Sequence, residues 1–190
     1  MDVQELAPGL WRWSARHPSW DDPPLPREVG SVYAETSDAV VLIDPLVPPD
    51  EEQRFFEALD RDVQRLGLPV AILLTVQWHE RSAPELRARY TAHGGEPDGV
   101  VAQQLLDDEV AYWLPRYRTL VSGDALLGID GLRRCPDAWT EGRGGERFLP
   151  ALRSLLDLGV ELVLPAHGDP VVANGTQALE RAIDGAAFGE

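Results

Sequence analysis

The sequence predicts an α/β protein of the α+β kind, and three observations predict it. Short apolar runs at residues 39–44, 70–74 and 160–164 have the length and composition of buried strands. Apolar residues at helical spacing, led by Phe55, Leu59, Val63 and Leu66, mark the segments between them. The order along the chain is strands, helix, strand, helix, strands, helix, strand, helix. That order suits two β-plus-α halves with sheets inside and helices outside. A chain of 190 residues with 44% hydrophobic content has enough apolar surface for one globular domain over residues 1–190.

Taken in order, residues 3–15 read as a hairpin turning at Pro8-Gly9, with Leu10, Trp11 and Trp13 leading its second strand. Residues 17–30 are rich in Pro and Asp and read as a loop. Trp20 makes that loop a candidate lid over a pocket; the plainer reading is a surface loop pinned by one aromatic. Residues 31–35 and 39–44 pair across Thr36-Ser37-Asp38. Asp50 and Gln53 have capping-box spacing for a helix that Gly67 ends. Strand 70–74 runs into a polar loop and then a helix from about residue 83 to 92. Ser82 and Glu85 form a second capping box, Pro84 fits the first turn, and His93-Gly94-Gly95 closes the helix.

Val100-Val101 is a short strand candidate. Residues 109–114 and 117–122 read as a hairpin turning at Pro115-Arg116, and residues 126–145 as irregular chain. Phe148, Leu152, Leu155 and Leu156 mark an amphipathic helix stopped by Gly159. Strand 160–164 follows, and Asn174 is placed to cap a last helix running to about residue 187.

Composition removes several function classes. A net charge of −15 argues against nucleic acid, whose phosphates call for basic partners. No apolar run reaches bilayer length, and the N-terminus shows no basic-then-apolar leader pattern, so no membrane association is expected. The single cysteine, Cys135, cannot form an internal disulfide, and a cytoplasmic location is the expectation. Beside Pro136 in an arginine-bearing loop, Cys135 reads as a bystander thiol. All 17 basic residues are arginine, which excludes lysine Schiff-base and lysine general-base chemistry.

Chemistry is expected at strand ends. Glu80, Asp124 and His167 each follow a different predicted strand. The organising stretch is VAILLTVQWHERSAPE, residues 70–85, a strand passing through a polar loop into a helix. With YRTLVSGDALLG (117–128), LPAHGDP (164–170) and the strand 39–44 closed by Asp44, it resembles the metallo-β-lactamase superfamily, which includes the glyoxalase II-like hydrolases. The corresponding family segments are Thr-His-x-His-x-Asp-His, Leu-Phe-x-Gly-Asp, Pro-Gly-His-Gly and Leu-Ile-Asp. The resemblance runs from the first hairpin to the last helix. It implies a four-layer αβ/βα sandwich, with two mixed sheets inside and helices outside.

It also implies a degenerate metal site. At the four ligand positions of the main run stand Val76, Trp78, Glu80 and Arg81, and no histidine lies in the stretch QLLDDE (104–109), where the family has another. Asp124 and His167 match unchanged. Valine has no lone pair and indole only donates, so no dinuclear zinc centre is expected, and Trp78 is expected to fill the space. A guanidinium cannot coordinate. The preferred expectation is therefore a metal-free site in which Arg81 takes the ion's place and pairs with Asp124, Glu80 or both.

The alternative is one zinc ion on Glu80, Asp124 and His167. The function expected is a metallo-β-lactamase-fold protein that binds an unknown small molecule without catalysis. The alternative is a mono-metal or metal-free hydrolase of an ester, thioester or lactam, the metal-free version using His167 as base beside Asp124 or Glu80. His79 is one residue out of register for the family's second histidine: a reshaped loop would make it a ligand, and a solvent-facing or hydrogen-bonded role is the plainer reading. His93 reads as a polar cap and His17 as part of the 17–30 loop.

Overall fold

The computed structural model describes residues 1–19, 25–140, 142 and 144–190. The chain forms two compact units, Met1–Leu74 with Trp78–Val100, and Thr75–Gln77 with Val101–Glu190.

The first unit is built on a mixed five-stranded sheet of order β1-β2-β3-β4-β5. Strands β1 (Asp2–Ala7) and β2 (Leu10–Arg16) form the expected hairpin, closing at Ala7↔Leu10 with Gly9 at φ +84. Strand β3 (Glu28–Glu35) begins earlier than the sequence suggested, because Arg16 pairs with Glu28 and extends the β2–β3 ladder into the expected loop. Trp20, the reason for considering a lid, lies outside the described residues. Strand β4 (Val40–Ile43) is buried at every position and pairs antiparallel with β3. It pairs parallel with β5 (Val70–Leu73), which requires the crossover helix α1 (Glu52–Leu66).

Phe55, Phe56 and Leu59 of α1 share a core with Trp13, Leu42, Ile72 and Leu86, the last from α2 (Ala83–Tyr90). The Trp13 ring stands 5.5 Å from that of Phe55, and its N–H donates to the Leu46 carbonyl at 2.8 Å. Gly67 caps α1 in the left-handed region, as expected.

The two capping-box expectations are corrected. Helix α1 starts after Glu51 with no side-chain cap bond. The Ser82 hydroxyl caps nothing in its own helix and instead accepts the Val47 amide at 2.9 Å. Thr91, not the glycine pair, ends α2 in the left-handed region. His93 is a bridge in place of a cap: its carbonyl accepts the Ile72 amide and its amide donates to Val70, while its side chain is exposed.

The second unit carries a four-stranded sheet of order β11-β8-β7-β6. Strands β6 (Val101–Leu106), β7 (Glu109–Leu114) and β8 (Thr119–Ser122) run antiparallel in succession, and β11 (Leu162–Pro165) joins β8 in parallel. The stretch read as irregular contains a second hairpin, β9 (Leu126–Gly128) with β10 (Leu132–Arg134). Its signal is Asp130-Gly131, both left-handed, a pair suited to tight hairpin turns.

Phe148, Leu152, Leu155, Val163 and Leu179 form the core around helices α3 (Leu149–Ser154) and α4 (Gly175–Asp184). Gly159 follows the α3 segment in the left-handed region, as expected. Asn174 precedes α4 but gives no side-chain cap; the backbone amides of Gly175 and Thr176 donate to the Glu161 and Val160 carbonyls instead. Among the described residues no helix is long and apolar enough to cross a membrane.

Candidate active site

In the first unit the loops after β4 and β5 are stitched together. Asp44 closes β4 at φ +48, a left-handed conformation that aspartate tolerates better than most residues. Its amide donates to Leu73 and its carbonyl accepts the Ser31 hydroxyl at 2.8 Å. The loop after β5 returns the contact: the Ser82 amide donates to Pro45 at 3.1 Å, and Arg81 Nη1 donates to the carbonyls of Gly30 and Asp44, each at 2.8 Å. Arg81 is thus a brace on main-chain oxygens of the β3 and β4 segments.

These constraints aim one histidine. His79 sits in the tight turn Gln77–Glu80, is 4% exposed, and its Nδ1 lies 2.9 Å from Asp44 Oδ2. Where the carboxylate accepts, Nδ1 is the donor, and in the neutral ring that leaves the lone pair on Nε2. A carboxylate behind the far nitrogen is how metal-ligating histidines are oriented. The hydrogen-bonded reading of His79 holds; the solvent-facing one does not. Glu80 is exposed, so the buried side chain of this turn is His79 where the sequence suggested Glu80. Trp78 is 60% exposed, and the expectation that its indole fills the site is overturned. Val76 is buried and bridges to Glu109 in the second unit.

In the second unit Asp124 and His167 come together as the sequence expected. Asp124 follows β8 and His167 follows β11, and the parallel pairing Pro165↔Ser122 puts both strand ends at one edge. His167 Nε2 stands 3.4 Å from Asp124 Oδ1; the imidazole is 4% exposed. That spacing is long for a hydrogen bond. It matches the edge of a coordination tetrahedron: two donors each about 2.0–2.1 Å from one ion lie about 3.4 Å apart.

Main chain fixes the His167 side. The Gly128 amide donates to the His167 carbonyl at 2.9 Å, and the Asp169 amide donates to Gly128 at 2.7 Å. A Cβ on Gly128 would collide with the Asp169 backbone, and one on Gly168 with Gly128, so glycine is required on both sides of this contact. Cys135 is buried in the same unit's core. Desolvation pushes its thiol up to about 12, and the charges of Glu109 and Asp124 push the same way, which leaves it an inert bystander, as expected. His17 is half-buried beside β2, its amide bonded to Arg27.

No family model and no curated protein matches the sequence. Solved structures do. The mono-zinc form of an NDM_FIM-1 like metallo-β-lactamase from Erythrobacter litoralis superposes with a TM-score of 0.60 at 14% identity, covering 96% of this chain and 94% of that one. A metallo-β-lactamase family protein from Thermus thermophilus gives 0.55 at 20% identity, covering 93% and 79%. The metallo-β-lactamase IND-7 gives 0.58 at 14% identity, covering 97% and 98%. This chain has the metallo-β-lactamase fold. Its two mixed sheets and flanking helices are those the resemblance implied.

One contact escapes a reading of the sequence, that between Asp44 and His79. Asp44 is legible as a strand end but not as the partner of His79. His79 falls out of register when the ligand run is matched residue for residue. A tight three-per-turn helix rotates each side chain by about 120°, so a one-residue offset decides which side chain faces inward.

Proposed function

We propose that this metallo-β-lactamase-fold protein is a hydrolase carrying a single divalent metal ion, zinc by donor chemistry, with Asp124 and His167 of the second unit among its ligands. No dinuclear centre is part of this reading, because Val76, Trp78 and Arg81 supply no donors at the other ligand positions. The observation that carries the proposal is the Asp124–His167 spacing of 3.4 Å, that of two ligands on one ion. The main-chain contact of Gly128 with His167 and Asp169 supports it, since it fixes the segment that carries His167.

An imidazole and a carboxylate are donors that suit zinc. An ion held there supplies Lewis-acid polarisation and an acidified water. The chain's own residues do the rest. Asp44 keeps the Nδ1 proton of His79 in place. The Gly128–Gly168 contact holds His167 against drift. The guanidinium of Arg81 braces the loops after β4 and β5 through the Gly30 and Asp44 carbonyls. Esters, thioesters and lactams are the substrate classes this chemistry fits.

A second reading, a small-molecule binder without catalysis, is favoured by the ligand-poor turn after β5, where only His79 of the residues 76–81 faces inward as a donor. One experiment separates the two. Protein purified without chelator is assayed for metal content, titrated with zinc and cobalt by calorimetry, and tested on chromogenic ester, thioester and lactam substrates. One ion per chain and metal-dependent turnover are expected. Metal without turnover favours the binder, and absence of both bound ion and binding heat overturns the metal site.

A further inference from the structure

We propose that Glu109 is a positioning residue, whose buried carboxylate holds the 123–125 turn and so sets the aim of Asp124. The purpose of this arrangement rests on the metal-binding reading above; its geometry stands within the second unit alone.

Glu109 opens β7 and is only 3% exposed. Along that strand the side chains two and four residues on, Ala111 and Trp113, belong to the apolar core. Alternation therefore calls for an apolar residue at position 109, and a carboxylate there is the departure from the pattern. Glutamate is rarely buried, because taking its charge out of water costs several kcal/mol, on the order of the values for buried ions, unless hydrogen bonds compensate.

What the carboxylate does locally is specific. Glu109 Oε1 accepts the amide of Ala125 at 2.7 Å, a charge-assisted bond to the residue following Asp124. The residue preceding Asp124 is held as closely. A Cβ on Gly123 would stand 2.5 Å from Thr75 Oγ1 and 3.1 Å from Glu109 Oε1. Thr75 is itself anchored, its carbonyl accepting the Val110 amide at 2.8 Å. Asp124 thus lies between Ala125, whose amide the Glu109 carboxylate holds, and Gly123, which packs too closely on Thr75 and Glu109 to carry a side chain. An apolar side chain at 109 fills the core as well but leaves the Ala125 amide without that acceptor.

The test compares Glu109→Gln with Glu109→Leu in the full chain. Glutamine keeps an acceptor oxygen; leucine fits the core and keeps none. The readouts are the Ala125 amide shift and hydrogen-exchange rate in metal-free protein, then cobalt affinity and the cobalt visible spectrum. E109L is expected to fold with an unfolding temperature near wild type, to exchange the Ala125 amide faster and to bind cobalt about 10–100-fold more weakly with a changed spectrum. E109Q is expected to stay close to wild type on each count.

An E109L variant with wild-type amide behaviour, affinity and spectrum overturns the proposal, and so does E109Q damage equal to that of E109L. If wild type binds no cobalt, the metal reading fails by itself. The amide shift, the exchange rate and the ring nitrogen shifts of His167 at one pH then decide whether Glu109 holds the turn.

Discussion

Each unit pairs one buried histidine with one carboxylate, and the two pairs differ in a way that assigns their tasks. His79 Nδ1 and Asp44 Oδ2 are 2.9 Å apart and both side chains are nearly inaccessible. His167 Nε2 and Asp124 Oδ1 are 3.4 Å apart and the Asp124 side chain is 15% exposed. The first pair has the length of an orienting hydrogen bond; the second has the spacing of two donors sharing an acceptor of electron pairs. The lesson is that a carboxylate beside an imidazole is not one motif. Distance, and which nitrogen faces it, tell the two pairs apart: 2.9 Å at Nδ1 in one and 3.4 Å at Nε2 in the other.

The largest expected effect tests the second pair. His167→Ala or Asp124→Ala should weaken zinc binding by more than about 100-fold, beyond the loss that removal of an outer-shell partner produces; calorimetry reads it, and an affinity within tenfold of wild type breaks the comparison. Asp44→Asn comes next. It keeps the shape and removes the carboxylate that faces His79, so the His79 ring nitrogen shifts are expected to move in a protein that stays folded. Unchanged His79 shifts would mean that the carboxylate does not orient the ring and would erase the distinction.

Gly128→Ala should act through the backbone, costing about 1–3 kcal/mol of stability as an overpacked contact and shifting the His167 ring signals. Thermal unfolding and NMR check it, and an unchanged His167 environment would detach that residue from the glycine contact.

The smallest effects are expected from Glu80→Gln and Trp78→Ala, whose side chains are exposed. Each should leave zinc affinity within about twofold, as for a surface change of up to ~0.5 kcal/mol. A tenfold loss for Glu80→Gln would return that residue to the ligand set. Cys135 should resist alkylation at pH 8 in the folded protein, because a thiol pushed up to about 12 holds its proton there; labelling should require unfolding.

The frame was legible because it is written in period and punctuation. The all-buried β4 and β5, the helical spacing of Phe55 and Leu59, and the left-handed glycines at 67 and 159 each act locally. Asp124 and His167 were legible because strand ends fix them. What was not legible depends on contacts far apart in sequence. Ser82 leaves its capping task for an amide 35 residues away, and Arg81 reaches back to Gly30. Glu109 is buried against Ala125, which no count along the chain reveals. The Gln77–Glu80 turn hid its inward residue because its rotation, not its spacing, selects it.

The back-to-back contact of Gly128 with Gly168 constrains how this protein can change. Around His167 the polypeptide touches itself with no side chain between, so almost any replacement or insertion there dislodges the imidazole. In the turn that presents His79, by contrast, Trp78 and Glu80 are exposed, so their side chains can be exchanged without displacing main chain.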